Sequence, residues 1–209
     1  MTTDPETEDR ILDAAHAVFL RHGTAGARMQ EIADEAGVNK ALLHYYFRSK
    51  DKLAEAVFQR AARELSPVIL RTIVSDASIE EKVERVVQHE LEILSRNPQL
   101  PGYLLSEMHH HPERIEQLVG SIIGAAPSQV APMMLAKLGA QIQERVAAGT
   151  MRPIAPEQFL VNLVSLCIFP FAARPLLTVV LGTGPEGFDR LIEERKRELA
   201  GFFLNALRP

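Results

Sequence analysis

The chain has 209 residues, 46% of them hydrophobic and 24% charged, with 23 basic against 27 acidic side chains and a net charge of −4. These values exclude a disordered or fibrous chain and leave one medium domain or two small ones. A single cysteine rules out an internal disulfide, and an opening segment with Asp4, Glu6, Glu8 and Asp9 but no Lys or Arg is the opposite of a secretory signal, so a reducing, cytoplasmic setting is expected.

Nearly every stretch reads with helical period and none alternates apolar with polar, so the expected fold is all-α. Ile11, Leu12, Ala15, Val18 and Phe19 form one apolar stripe on a first helix over about Glu8 to His22, with His22-Gly23 as its stop. A second, short helix carries Ile32, Ala33 and Ala36 inward and ends at Gly37, where positive φ costs least. Asn39 is placed to cap a third helix, and Ser49 to cap a fourth that carries Leu53, Ala54, Val57, Phe58 and Ala61. Beyond Glu64 the helices lengthen. Ser78-Ile-Glu-Glu81 is a capping box opening a helix with Ile79, Val83, Val86, Val87, Leu91 and Leu94, closed by Asn97-Pro98. Further helices are expected over Leu100 to His110, Pro112 to Ile123, Gln129 to Ala148, Pro156 to Leu181 and Glu186 to Leu207.

The net charge conceals a split. Residues 1–9 carry −4, residues 10–63 carry +3 (nine basic minus six acidic), and the remainder carries −3 (fourteen minus seventeen). From Ala36 to Lys50 the charges are Lys40, Arg48 and Lys50, with no acid, and a polyanion is bound by such a local patch rather than by a whole-molecule balance. The two short helices joined through Gly37 form a helix-turn-helix pattern. On a wheel of about 100° per residue, Lys40, Ala41, His44 and Tyr45 fall in one arc and Leu42, Leu43, Tyr46 and Phe47 in the other. The apolar arc anchors the helix; the other suits phosphates and base edges in a major groove. A helical hairpin of this kind also occurs in bundles where such residues are only a solvated face.

The run Met29-Gln-Glu-Ile-Ala-Asp-Glu-Ala-Gly-Val-Asn-Lys-Ala-Leu-Leu-His-Tyr-Tyr-Phe-Arg-Ser-Lys50 resembles the DNA-binding segment of the TetR/AcrR family of bacterial transcriptional regulators. The likeness spans roughly Glu8 to Val57. It implies a helix-turn-helix DNA-binding domain over residues 1–50, with an acidic tail at 1–7, and a helical effector-binding and dimerisation domain over 51–209. By position it also implies that Lys40 and Ala41, behind the Asn39 cap, lie against base edges, with Leu42 near a thymine methyl or the groove wall. His44 and Tyr45 would hold phosphates, and Gln30 and Lys50 would grip the backbone. Arg28 departs from the family pattern of Thr or Ser: it cannot cap by accepting an amide proton, although its guanidinium can reach a phosphate.

The implied function is a ligand-responsive repressor without cofactor, metal or catalytic residues. One such helix reads only a few base pairs, so a homodimer on a palindromic operator in double-stranded DNA is the physical expectation. The dimer surface is expected in the last two helices: Phe159 to Leu181 is apolar nearly all round, and Leu191, Leu199, Phe202, Phe203 and Leu207 add a second stripe. Arg174, Asn162, Pro170 and Pro175 speak against a membrane span there. Tyr103, Leu104, Met108, Met133, Met134, Leu138 and Phe169 are candidates to line a cavity for a small, largely apolar effector, with ordinary core packing as the alternative for each. Glu107-x-x-His110 within Glu107 to His111 has a di-iron spacing but lacks its second half, and a metal-binding bundle is the rival reading. Cys167 is expected in the core.

Overall fold

The computed structural model describes residues 4–65, 67–112 and 127–209. Among them every regular element is a helix, in the order α1 (Pro5–Gly26), α2 (Met29–Glu35), α3 (Lys40–Tyr46), α4 (Lys50–Leu65), α5 (Pro67–Val74), α6 (Ile79–Arg96) and α7 (Leu100–His110), followed by helices at Pro127–Ala147, Pro156–Ala172, Arg174–Val180 and Pro185–Asn205. The helix expected from Pro112 to Ile123 lies outside the described residues.

Of the described residues, 4–63 and 103–112 form one compact unit and the rest a second. In the first, the α1 stripe is buried as its spacing requires, with Ile11, Ala15 and Val18 at 0% exposure and Phe19 at 1%. Ile32, Ala33, Leu43, Leu53, Ala54, Val57 and Phe58 supply the other buried apolar side chains from α2, α3 and α4. Gly23 leaves helical geometry at φ 67°, ψ 162°, so the first helical piece of α1 stops at His22-Gly23 as its sequence implies, and a short second piece follows across the kink. Gly37 takes φ 65°, the left-handed conformation a side chain would resist, and this turns α2 into the loop before α3. Arg60 Nη2 donates to Asp13 at 2.6 Å and fixes α4 to α1. The C-terminal part of α7 belongs to the same unit: Tyr103 meets His16 edge to face at 5.7 Å, and Thr24 donates to the buried Glu107 carboxylate. Burial pushes the His16 imidazole below its ordinary pKa.

In the second unit α6 is the central element, opened by the Ser78/Glu81 capping box. Its Val83, Val86, Val87, Leu91 and Leu94 pack with Leu138, Phe159, Leu163, Cys167, Phe188 and Phe203 into one core. The expectation of a single helix from Pro156 to Leu181 is corrected: the chain bends by 73° at Ala173, giving Pro156–Ala172 and Arg174–Val180. Pro175 is responsible, since it offers no N–H to the Phe171 carbonyl one turn earlier and its ring clashes with that carbonyl, whereas in the first turn of a new helix the missing donor costs nothing. No single described helix is long and apolar enough to cross a membrane. Cys167 is fully buried, and burial together with the charge of Glu90 pushes its thiol up to about 12.

Candidate nucleic-acid interface

The candidate surface is α3 with its flanks. Asn39 accepts the Leu42 amide at 2.8 Å and so fixes the helix start, while the Phe47 amide closes the end on the Leu43 carbonyl. The sequence pattern becomes a two-sided helix: Leu43 is completely buried and Phe47 nearly so, Leu42 and Tyr46 are half-buried, and Lys40, Ala41, His44 and Tyr45 are exposed. The arcs read from the wheel are therefore the anchored and outward faces of the folded helix. Tyr45 is 54% exposed and its ring sits edge to face on Tyr46 at 5.6 Å, so the outward phenol is steadied by an anchored neighbour.

Ser49 caps α4 by accepting the Lys52 amide at 3.2 Å. Lys50, at the start of that helix, points its ammonium at the carbonyls of Ala25 (2.9 Å) and Ala27 (3.3 Å), holding the end of α1 and the segment that leads into α2. An ammonium has three N–H donors, so one remains beyond those two bonds for an outside oxygen. Gln30 is exposed on α2 and donates to Asp34 one turn on at 2.8 Å. Arg28 occupies the N-cap position of α2 without making a capping bond, as an all-donor side chain must, and it is exposed.

Two features that sequence reasoning missed hold this surface. The Tyr46 hydroxyl accepts from the Asp4 amide at 3.0 Å and donates to the Asp4 carbonyl at 3.3 Å, tying the start of α1 to the end of α3. Arg21 pairs with Glu35 at 2.8 Å, and His22 meets Glu31 at 2.9 Å, joining α1 to α2. The second was legible in principle, since Glu31 and Glu35 lie one turn apart on α2 and face a basic pair; a contact between a phenol and a main chain 42 residues away has no sequence signal.

Of the seven candidate effector residues, Tyr103, Leu104 and Met108 belong to the first unit and Met133, Met134, Leu138 and Phe169 to the second. Tyr103 and Leu104 are buried and Met108 half-buried in the first unit; Leu138 is in the core of the second with Met134 packed against it; Met133 and Phe169 are exposed. The histidines of α7 diverge, His110 turning its Nδ1 to the Ser106 carbonyl at 2.7 Å while Glu107 points inward to Thr24. Among the described residues no group of three or more potential ligands is placed to hold a metal. On the last two long helices and just past their end, Leu199, Phe203 and Leu207 of the expected dimer stripe are buried in their own core, whereas Val161, Phe169 and Phe202 are outward, joined by Leu176, Val179 and Val180 on the short helix between.

Residues 11–57 match the family described as bacterial regulatory proteins, tetR family. Across 93% of its length the chain is 27% identical to the HTH-type transcriptional repressor SCO4008 of Streptomyces coelicolor, covering 94% of that protein. It is 26% identical to the HTH-type transcriptional repressor NicS of Pseudomonas putida, over 84% of this chain and 80% of that one. Its fold superposes on the TetR family transcriptional regulator PfmR from Thermus thermophilus with a TM-score of 0.66 at 19% identity, covering 94% and 98% of the two chains.

Proposed function

We propose, since the chain belongs to the tetR family of bacterial regulatory proteins and is a DNA-binding transcriptional regulator, that it acts in the cytoplasm as a ligand-responsive repressor that binds a palindromic operator as a homodimer. The observation that carries this reading is the two-sided α3: an apolar side seated on the core and an outward side of Lys40, Ala41, His44 and Tyr45. In the major groove Lys40 and Ala41 meet base edges, Ala41 being small enough for close approach, and His44 and Tyr45 donate to phosphates. Leu42, half-buried at the edge of that face, touches the groove wall. Arg28, Gln30 and the remaining donor of Lys50 hold backbone oxygens on either side, behind the Asn39 cap. Residues 1–50 are the reading domain and residues 51–209 the part that dimerises and responds to an effector.

Two protomers place two such helices on one face, and half-sites about one helical turn of DNA apart follow from that symmetry. The outward Val161, Phe169 and Phe202 supply the contact between protomers. A small apolar effector that favours a spacing of the reading helices unsuited to the operator releases the DNA; a preference of about 1 to 3 kcal/mol changes occupancy several-fold or more. Selection of bound duplexes from a random pool tests the reading: an inverted repeat is the expected product, and a pool without sequence enrichment refutes it.

A further inference from the structure

Two charged side chains of α6, Lys82 and Glu90, have no exposed surface. They differ in what meets them. Lys82 donates to Gln141, whose own amide donates to the Ala77 carbonyl at 3.1 Å, whereas neither carboxylate oxygen of Glu90 has a hydrogen-bond partner. Val86, Val87 and Leu94, three or four residues away on α6, share the face of Glu90 and are completely buried. On the Pro156–Ala172 helix, Leu163 and Cys167 belong to the same core, and the charge of Glu90 reaches the Cys167 thiol.

Among the described residues, the elements packed around Glu90 bring it no countercharge. Cys167 is neutral. On the last helix, Arg195 turns Nε and Nη2 to the Leu166 carbonyl, at 3.1 and 2.9 Å, which Pro170 leaves without its intrahelical donor. Lys196 pairs with Glu92 and Glu193. His89, beside Glu90 on α6, is pushed below its ordinary pKa by burial and by the charge of Arg71 on α5. Burial is the whole cause of the Glu90 shift. An ionised carboxylate is tolerated at such depth only when a charged donor meets it, and the side chains around this one offer hydrocarbon alone. A protonated amine on an apolar body supplies both the charge and the N–H donors that are missing.

We infer that Glu90 is the recognition carboxylate for an amphipathic amine. The ammonium donates to its two oxygens as a charge-assisted pair, and an aliphatic or aromatic body lies among the valine, leucine and cysteine side chains of α6 and the Pro156–Ala172 helix. The carboxyl is closed off from solvent, so entry parts this layer and the ion pair offsets the opening. The place is in the core of one protomer, apart from the outward face assigned to its partner. As the identity of the effector, this rests on the ligand-responsive reading above; the binding itself does not.

Calorimetric titration of the full chain, without DNA, tests it with 4-butylbenzylamine, octylamine, 4-butylbenzyl alcohol and 4-butylbenzoate at pH 6, 7 and 8. The two amines, protonated throughout, separate an aromatic from an aliphatic body. At least one of them binds once per chain, at least tenfold more tightly than the neutral alcohol, and the carboxylate does not bind. The amine takes the ionised form of Glu90, whose carboxyl is pushed up to about 7, so affinity rises about tenfold from pH 6 to pH 8. At pH 6 nearly one proton leaves per amine bound, read from buffers of unlike ionisation enthalpy. Glu90→Gln keeps the shape and the circular dichroism spectrum, and removes the preference over the alcohol, the pH dependence and the proton release together. The inference is overturned by no amine binding at millimolar concentration, by equal affinity for the alcohol, or by amine affinity and proton release that survive Glu90→Gln. Duplex selection is scored apart: an enriched inverted repeat with a failed titration overturns this inference alone, and amine binding without enrichment overturns the operator reading alone.

Discussion

Glu90 sits in the middle of α6 with no exposed surface, and neither of its carboxylate oxygens has a hydrogen-bond partner. Burial pushes its pKa from 4.5 up to about 7. A carboxyl raised in this way favours the folded state while protonated. That advantage is complete below the unfolded value and is lost as pH rises from 4.5 through 7. At pH 5 the unfolded chain has already released about three-quarters of this proton while the native chain still holds it, so stability is falling; by pH 8 both forms have released it, the native chain against the penalty of burial. Integrating between those limits gives about 2.5 kcal/mol of stability lost to this one group. Glu90→Gln retains the shape and cannot ionise, so its stability relative to the parent should improve by about 2.5 kcal/mol between pH 5 and pH 8. Urea unfolding followed by far-UV circular dichroism at pH 5, 6, 7 and 8 measures this, because every other titrating group cancels in the difference. A difference that stays constant with pH, or one that moves in the parent's favour, refutes the burial argument.

Gly37→Ala should cost about 1 to 2 kcal/mol from backbone strain alone, since φ is 65° and a Cβ there would meet nothing within 4 Å; an unchanged melting temperature contradicts the turn geometry. Asn39→Ala removes the acceptor of the Leu42 amide and should cost about 1 kcal/mol, with faster hydrogen exchange at the start of α3; parental exchange there means that Asn39 does not set the helix start. Phe202→Glu, on the outward face of the last helix, should convert a dimer to a monomer by sedimentation velocity with helical content retained; a variant still dimeric moves the protomer contact elsewhere.

The helix stripes and caps were legible because they are local. Ser78 with Glu81, Asn39 and Ser49 name their partners within three residues, and the burial of Ile11, Val18, Leu43 and Leu53 follows from period alone. The outward face of α3 was legible for the same reason, since a helix of seven residues with two leucines at its centre has one way to bury them. What the sequence withheld depends on distance and competition. Lys50 reads as a free cation, yet its ammonium lies against the Ala25 and Ala27 carbonyls, which exist as a target only once α1 and α4 are packed. The run after Pro156 reads as one long apolar helix because composition outweighs the two prolines, whereas in the fold Pro175 breaks it and Pro170 leaves a carbonyl for Arg195. The effector candidates were chosen by residue type, and type does not say that Leu138 faces the core while Met133 faces outward.

The most direct test of the account compares the parent with Lys40→Ala and Tyr45→Ala on one selected duplex, by fluorescence anisotropy across a series of salt concentrations. Both variants should bind more weakly while remaining dimeric, and loss of a phosphate contact should flatten the slope of log affinity against log salt by about one unit. Parental affinity and parental slope in both variants would show that the outward face of α3 is not the surface that meets DNA.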